Sequence, residues 1–287
     1  MVKNHRAFSQ PHRHARTAAL LAGLLLGLMV TGCQRSDAPA HGVTIATTTS
    51  YLEAAARDLL GDNLVAVRLA EPGTCPGHFD MRPSQVTALR ECRALLRFDF
   101  QKALDPRLAG AGQPPVVEIA VRDGMCRPDS YLAACRQTGN RLVALGLLAR
   151  ANAEARLQAI TERLDALGRD ATNRIAQAGL AGTPVIASRH QADFCGWLGL
   201  NVVATFRAAD TAGFSEIEEA IAAGRQARAR LVIANLPEGR RTADALGERL
   251  QARVVVFANF PALEDGRLSF DRMVRANVKA LLRAAMP

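Results

Sequence analysis

Short apolar runs alternate with amphipathic segments in two regions of the chain, residues 43–128 and residues 182–287. A short apolar run predicts a buried strand, and apolar residues repeating at three- and four-residue intervals predict a helix. Strands that alternate with helices form parallel sheets with crossover helices. The predicted strands are Val43–Thr48, Leu64–Leu69, Ala94–Phe98, Pro115–Val121, Pro184–Ser188, Asn201–Phe206, Arg230–Ala234 and Arg253–Phe257. The predicted helices are Tyr51–Leu60, Pro83–Arg93, Phe100–Leu108, Gln191–Leu198, Ser215–Gly224, Arg240–Gln251 and Ser269–Ala285.

Between the two regions, residues 129–181 carry no strand signal but keep their apolar positions at helical spacing. The core of this segment, Arg141–Gln177, is much longer than an average helix of about 11–12 residues. Gly139 and Gly146 are its weak points, where its first part can break. We therefore predict an α/β fold with two lobes, each a parallel sheet flanked by helices, joined by one long α-helix.

Residues 1–32 form a predicted export signal. A basic segment up to Arg16 precedes an apolar stretch, residues 17–30, that is too short for a comfortable membrane span. This stretch ends in Val-Thr-Gly-Cys33, which resembles the cleavage box of bacterial lipoproteins. The resemblance implies that Cys33 is lipidated and that the polar residues 33–42 tether a periplasmic or extracytoplasmic chain to the membrane. The alternative is an ordinary secretory signal with an incidental cysteine.

Composition and charge narrow the function classes. Apolar residues make up 49% of the chain and charged residues 22%, which is ordinary for a globular protein with a core. Aromatic residues are only 5%, which disfavours a base-stacking platform for nucleic acids. The formal net charge is +9, but the export signal holds four basic residues and no acidic one. The remaining charge of about +5 is scattered along helices, so we predict no nucleic-acid partner.

Several short segments, in order around the long helix, carry a family resemblance. They are Val43–Ser50, Gly61–Asn63, Gly77–Ser84, Pro184–His190 followed by Gly199 and Leu200, and Ser269–Val278. Together they resemble the periplasmic solute-binding lipoproteins of zinc and manganese ABC transporters, the group with a long linker helix. The resemblance implies a monomeric binding protein rather than an enzyme. It also implies a transition metal as ligand and an ABC permease in the cytoplasmic membrane as partner.

Three histidines remain beyond the export signal. His41 lies in the tether, His78 lies in a loop rich in proline and glycine, and His190 directly follows a predicted strand. Ligands bind at the carboxyl ends of strands in open α/β sheets, so His78 and His190 can face a cleft between the lobes. Imidazole binds zinc and several other divalent ions. The alternative for each histidine is a solvated loop residue or a helix cap.

Cysteines add further candidate ligands. Beyond Cys33 the chain has five cysteines, an odd number, so in an oxidising compartment at least one is free, intermolecular or metal-bound. Cys75 lies three residues from His78, and Cys195 lies five residues from His190. A site of these two cysteines and two histidines would suit zinc, with Cu(I) as a softer alternative. The competing interpretations are a Cys126–Cys135 or a Cys75–Cys195 disulfide, and burial of Cys92 on an apolar helix.

The chain departs from the family pattern at two positions. Members usually carry another histidine before the long helix and a carboxylate after the last strand, but residues 128–135 hold no histidine and Asn259 follows that strand. Asn259 is therefore a candidate for lining the cleft. Asp80 can hydrogen-bond a ligating histidine or cap the following helix. Trp197 can shield the site or pack in the core.

These observations predict a lipid-anchored solute-binding protein that captures a transition metal between its lobes and hands it to a permease. Zinc is the predicted ion, with manganese or copper as alternatives. A second hypothesis is a binding protein for a chelated or organic ligand such as a siderophore, corrinoid or haem on the same scaffold. Loss of two usual ligands favours that hypothesis, and the low aromatic content disfavours it. A third hypothesis, a thiol redox protein, lacks the expected Cys-x-x-Cys motif.

Overall fold

The structure is a computed structural model that describes residues 42–72, 81–108, 112–211 and 213–285. The predicted export signal and residues 33–41 of the predicted tether lie outside the described residues. The same is true of four candidate functional residues, Cys33, Cys75, His78 and Asp80. In the described part of the chain, no helix combines the length and the apolar character needed to cross a bilayer.

The N-terminal lobe contains a four-stranded parallel sheet. Its strands are β1 (Val43–Thr47), β2 (Leu64–Arg68), β3 (Ala94–Phe98) and β4 (Val116–Ile119), in the order β2-β1-β3-β4. Its helices are α1 (Ser50–Leu60), α2 (Pro83–Leu89) and the four-residue α3 (Asp105–Leu108). All three strand pairs are parallel, because each connection crosses back over the sheet before the next strand begins.

Two predicted helices of this lobe are shorter than expected. The helix predicted over Pro83–Arg93 ends at Leu89. The helix predicted over Phe100–Leu108 is mainly a 3-10 segment, Asp99–Leu104, followed by the single turn of α3. Pro106 lies in that turn and has no N–H to donate to a preceding carbonyl, which limits a regular helix there.

The linker consists of two helices, α4 (Pro128–Ala144) and α5 (Arg150–Gln177). The break at residues 145–149 falls at Gly146, one of the two positions where the sequence indicated that the helix can break, so Arg141–Gln177 is not one continuous helix. Gly146 has a φ of +68°, and the N–H of Leu147 donates to the carbonyl of Leu142 at 2.9 Å. This is the bond pattern of a Schellman motif, which ends a helix. Glycine adopts the positive φ of that motif easily because it has no Cβ. Helix α5, with 28 residues, is the long helix between the lobes.

The C-terminal lobe repeats the plan of the first. Its strands are β5 (Pro184–Ser188), β6 (Asn201–Phe206), β7 (Leu231–Asn235) and β8 (Arg253–Phe257), all parallel in the order β6-β5-β7-β8. Its helices are α6 (Arg189–Trp197), α7 (Phe214–Ala227), α8 (Arg241–Leu250) and α9 (Phe270–Ala285). A short antiparallel hairpin, β9 (Leu263–Glu264) and β10 (Arg267–Leu268), precedes α9. The predicted two-lobed α/β fold is confirmed, and every predicted strand agrees within two residues.

The main hydrophobic core is shared by both sheets and the linker helices. An aromatic cluster lies where these parts meet. Tyr131 of α4 stacks on Phe270 of α9 with ring centroids 4.0 Å apart, and Tyr51 of α1 meets Tyr131 edge-on at 5.2 Å. All three rings are almost fully buried. The described residues therefore form one compact unit in which both lobes pack against the linker helices.

Candidate functional site

Several buried polar side chains of the C-terminal lobe lie at the carboxyl ends of its strands. The chain leaves β5 toward β6 on one side and returns to β7 on the other, so the crevice of this sheet lies between β5 and β7. Ser188 ends β5, Asn235 ends β7, and Asn259 follows β8. All three are almost completely buried. Parallel strands thus bring polar residues from three distant parts of the chain to one edge.

Glu238 joins two of these elements at the crevice. It lies in the 3-10 turn Leu236–Glu238, directly after β7, and its side chain is only 18% exposed. Ser188 Oγ donates a hydrogen bond of 2.5 Å to Glu238 Oε2. Nε2 of His190 lies 3.5 Å from Glu238 Oε1, and the imidazole is 62% exposed. One carboxylate therefore faces a hydroxyl on its buried side and an imidazole on its open side.

Helix α6 fixes the two partners of Glu238. Ser188 is the N-cap of α6, and its Oγ accepts a hydrogen bond from the backbone N–H of His190 at 3.3 Å. This contact satisfies one of the free N–H groups at the start of the helix. The same hydroxyl thus caps the helix that carries His190 and holds the carboxylate that His190 faces.

A buried amide network lies beneath this cluster. Gln191 Nε2 donates to Asn259 Oδ1 at 2.6 Å and to Asn235 Oδ1 at 3.1 Å. The Cys126 thiol lies 3.2 Å from Asn259 Oδ1 and 3.0 Å from the carbonyl oxygen of residue 258. Burial raises the pKa of Cys126 to about 12, and a hydrogen bond with Gln191 opposes the rise. The thiol is therefore a neutral donor near pH 7 rather than a thiolate.

The N-terminal lobe contributes hydroxyl groups at the matching edge of its own sheet. Thr48 Oγ1 donates to Gln101 Oε1 at 2.6 Å, which links the ends of β1 and β3. The hydroxyls of Thr47, Ser50 and Tyr51 are buried and meet no hydrogen-bond partner among the described residues. Burial is the main cause that raises the pKa of the Tyr51 phenol, which stays protonated. Charged pairs lie at this edge as well: Arg68, which ends β2, donates to the Glu53 carboxylate of α1 at 2.6 Å.

The structure brings two of the predicted site residues to the crevice, His190 and Asn259. It does not bring Cys195 there. Five residues along a helix turn a side chain by about 140°, and Cys195 is fully buried in the core while His190 faces solvent. Trp197 also lies elsewhere, stacked on Phe194 at 5.7 Å and lining a shallow pocket with Gly168 of the linker. Cys75, His78, Asp80 and Cys33 lie outside the described residues.

The described cysteines are all free and buried, as predicted for Cys92. The Cys126–Cys135 disulfide that the sequence left open is therefore not formed in the structure. Burial raises the pKa of Cys195 well above its usual range, with the nearby Cys126 as a second cause. A buried, protonated thiol is a poor metal ligand, because the thiolate is the form that binds.

Sequence reasoning missed Glu238, Gln191 and Cys126. Glu238 and Gln191 each follow the end of a strand closely, which is the signal that could have selected them. Cys126 gives no such signal, because its partners lie more than 60 residues away in the sequence. Among the described residues, no group of three or more His, Cys, Asp or Glu side chains is placed to hold a metal ion.

The described crevice offers one imidazole and one carboxylate, the nitrogen and oxygen ligands that suit zinc and other divalent ions. Its remaining groups are neutral amides, hydroxyls and a protonated thiol. Such groups can orient the two ligands but add no charge to attract a cation. The arrangement can therefore supply about half of a metal coordination sphere, with the rest coming from another part of the chain or from water.

The chain shares its fold with metal-binding proteins of known structure. The laminin-binding protein Lmb of Streptococcus agalactiae, described as an adhesin with metal-transporting activity, is 12% identical with a TM-score of 0.70. A crystal structure of ZnuA is 14% identical with a TM-score of 0.68. The Mn-bound periplasmic metal-binding protein of Candidatus Liberibacter asiaticus is 11% identical with a TM-score of 0.71. Each match covers 85% of this chain and 100% of the other.

No curated protein sequence matches the chain significantly. The model of the family described as "Zinc-uptake complex component A periplasmic" (ZnuA) matches residues 45–284, nearly all of the two lobes and the linker. The chain therefore belongs to the ZnuA family, whose members are periplasmic metal-binding components of ABC transporters.

Proposed function

We propose that this chain captures zinc outside the cytoplasmic membrane and delivers it to an ABC permease. The observation that carries the proposal is the placement of His190 beside Glu238 at the crevice of the C-terminal sheet, in a chain that the ZnuA family model matches over residues 45–284. An imidazole and a carboxylate are ligands that zinc accepts at about 2.0–2.2 Å. The family's role in zinc uptake supports the same ion.

His190 and His78 are the proposed ligands from the two lobes, with Cys75 close to His78 in the sequence. We do not include Cys195, because its side chain is buried in the core. Zinc is proposed over manganese because imidazole and thiolate ligands suit zinc, whereas manganese prefers oxygen ligands. The chelated-ligand hypothesis is not favoured, because a periplasmic metal-binding protein with the same fold is described in Mn-bound and Cd-bound structures.

The proposal includes a lipid anchor at Cys33 and a monomer as the working form. A basic segment, an apolar stretch and the Val-Thr-Gly-Cys33 box support the anchor. Cys33→Ser should move the protein from the membrane fraction to the soluble fraction of cells. A variant that stays fully in the membrane fraction would contradict the anchor.

The test of zinc binding is a competition titration on the chain that starts after Cys33, under reducing conditions, with zinc and manganese in turn. We expect one zinc ion per chain. His190→Ala should weaken zinc binding by about tenfold or more, because a ligand is lost. His41→Ala is the matched control, since it removes an imidazole from the predicted tether, and it should leave the affinity unchanged. A folded chain that binds no metal, or a His190→Ala variant with unchanged affinity, would refute the proposal.

A further inference from the structure

We infer that Glu238 is the carboxylate ligand of the C-terminal lobe, and that it forms a two-residue half-site for a divalent cation with His190. The inference rests on the proposed function and deepens it. It assigns the carboxylate to the turn after β7, whereas the segment after β8 presents the neutral Asn259. The cation would lie at the solvent-facing mouth of the crevice between β5 and β7.

The distance between the two side chains fits a shared cation. Nε2 of His190 lies 3.5 Å from Oε1 of Glu238. This is longer than a normal N–H···O hydrogen bond of about 2.7–3.2 Å. Two ligands of a tetrahedral zinc ion, each about 2.0–2.1 Å from the metal, are separated by about 3.4 Å. The pair is therefore already at the separation that two ligands of one ion require.

Ser188 holds the carboxylate in the orientation that leaves Oε1 available. Its Oγ donates to Oε2 at 2.5 Å, and Ser188 itself is fully buried as the N-cap of α6. A hydrogen bond to one oxygen of a carboxylate orients the other oxygen, which can then bind the metal. The side chain of Glu238 is only 18% exposed, so it is already largely ordered in the folded protein. Binding a cation would therefore cost it little further conformational entropy.

The charge of Glu238 is not paired with that of an arginine or a lysine among the described residues. Within the described ranges, Glu238 forms no ion pair with an Arg or Lys side chain, and the imidazole of His190 lies beside it. The other buried carboxylates differ in this respect. Glu53 is paired with both Arg57 and Arg68 at 2.9 and 2.6 Å. A partly buried carboxylate without an Arg partner retains its full attraction for an added cation.

The test compares Glu238→Gln with Glu216→Gln in the chain that starts after Cys33. Glutamine keeps the shape and an acceptor for Ser188 but removes the charge. Glu216 is a carboxylate of the same lobe that is paired with Arg207 at 2.7 Å, so it serves as the matched control. We expect Glu238→Gln to weaken zinc binding by about tenfold or more and Glu216→Gln to leave it unchanged. Equal melting temperatures of the metal-free proteins would show that both variants fold.

Cobalt(II) substitution distinguishes a ligand from a residue that acts through the fold. The visible spectrum of bound cobalt depends on the atoms that coordinate it, so Glu238→Gln should change the spectrum. A wild-type chain that binds zinc, with a Glu238→Gln variant of equal affinity or an unchanged cobalt spectrum, would overturn the inference and leave the proposed function standing. A wild-type chain that binds no metal would instead refute the proposed function, and the inference with it.

Discussion

Asn277 of α9 holds the backbone that carries Asn259, and its removal should destabilise the fold measurably. Asn277 Oδ1 accepts a hydrogen bond from the N–H of Ala258 at 2.9 Å, and its Nδ2 donates to the carbonyl of the same residue at 2.9 Å. Its amide also approaches the Cys126 thiol at 3.7 Å. Asn277 is 3% exposed, so water replaces these contacts poorly. The change to test is Asn277→Ala.

The expected cost follows from the two bonds to Ala258. The N–H of Ala258 loses its acceptor, and a buried donor left unsatisfied costs about 1–3 kcal/mol. The carbonyl of Ala258 still accepts a hydrogen bond from the Cys126 thiol at 3.0 Å, so it is not left without a partner. Loss of the bond from Asn277 to this carbonyl therefore costs only the net free energy of a hydrogen bond, about 0.5–1.5 kcal/mol. Together the two terms come to about 1.5–4.5 kcal/mol, a sizeable part of a total stability of about 5–15 kcal/mol.

Urea unfolding, followed by the fluorescence of the single tryptophan, measures this cost. Trp197 lies in the C-terminal lobe and is stacked on a buried phenylalanine, so its emission reports the packing of that lobe. For a slope of about 3 kcal/mol per molar urea, the midpoint should fall by about 1 M. Asn173→Ala, at an exposed position of α5, should stay within about 0.5 kcal/mol of the wild type. An Asn277→Ala midpoint equal to that of Asn173→Ala would refute the reasoning.

Three further outcomes are expected. Gly224→Ala should destabilise by about 1–3 kcal/mol in urea unfolding, because its Cβ would lie 2.7 and 2.9 Å from side chains of β5 and α8, whereas Gly196→Ala has open space and should cost nothing. Arg163 forms ion pairs with both Asp58 and Asp271. Burial raises the pKa of Asp271 and the charge of Arg163 lowers it, so Arg163→Met should raise the pKa of Asp271 further. A carboxyl group whose pKa is raised by folding makes the folded protein less stable as the pH rises. The melting temperature of Arg163→Met should therefore fall further below that of the wild type at pH 7 than at pH 4, and an equal fall at both pH values would contradict the argument. Zinc binding should rotate the two lobes relative to each other by only a few degrees. Small-angle scattering of the metal-free and zinc-bound protein that shows a rotation of tens of degrees would contradict this prediction.

The fold was largely predictable because its strands are short apolar runs between turns. Buried parallel strands need no alternation of polar residues, so a run of consecutive apolar residues indicates such a strand directly. The prediction for Arg253–Phe257 matches β8 to the residue. In the linker the sequence marked Gly146 as a weak point but left open whether the helix ends there, because Gly146 ends a helix only when the bonds of the Schellman motif form around it. The 3-10 segment Asp99–Leu104 has the composition of a helix, and only the following turn with Pro106 distinguishes it.

The site was less predictable because its contacts depend on sheet order. Ser188 and Glu238 are 50 positions apart in the chain, and they meet because β7 pairs with β5 rather than with β6. Spacing in the sequence suggested that Cys195 lies near His190, but the helical turn places the thiol in the core. The sequence directed attention to the ends of strands, but it could not say which of those ends are neighbours.

The buried network argues for exchange of the ion at the open edge of the crevice. Cys126 lies between β4 and α4, yet its thiol contacts the segment after β8 at 3.0 and 3.2 Å. Wide separation of the lobes would break these contacts and expose the stacked rings of Tyr131 and Phe270, which the shared core keeps from water. The imidazole of His190, in contrast, is 62% exposed and can turn away from Glu238 without breaking any buried contact. If His190 and Glu238 hold the ion as proposed, the C-terminal lobe can release it by moving side chains at the mouth of the crevice, while the buried amide network stays in place.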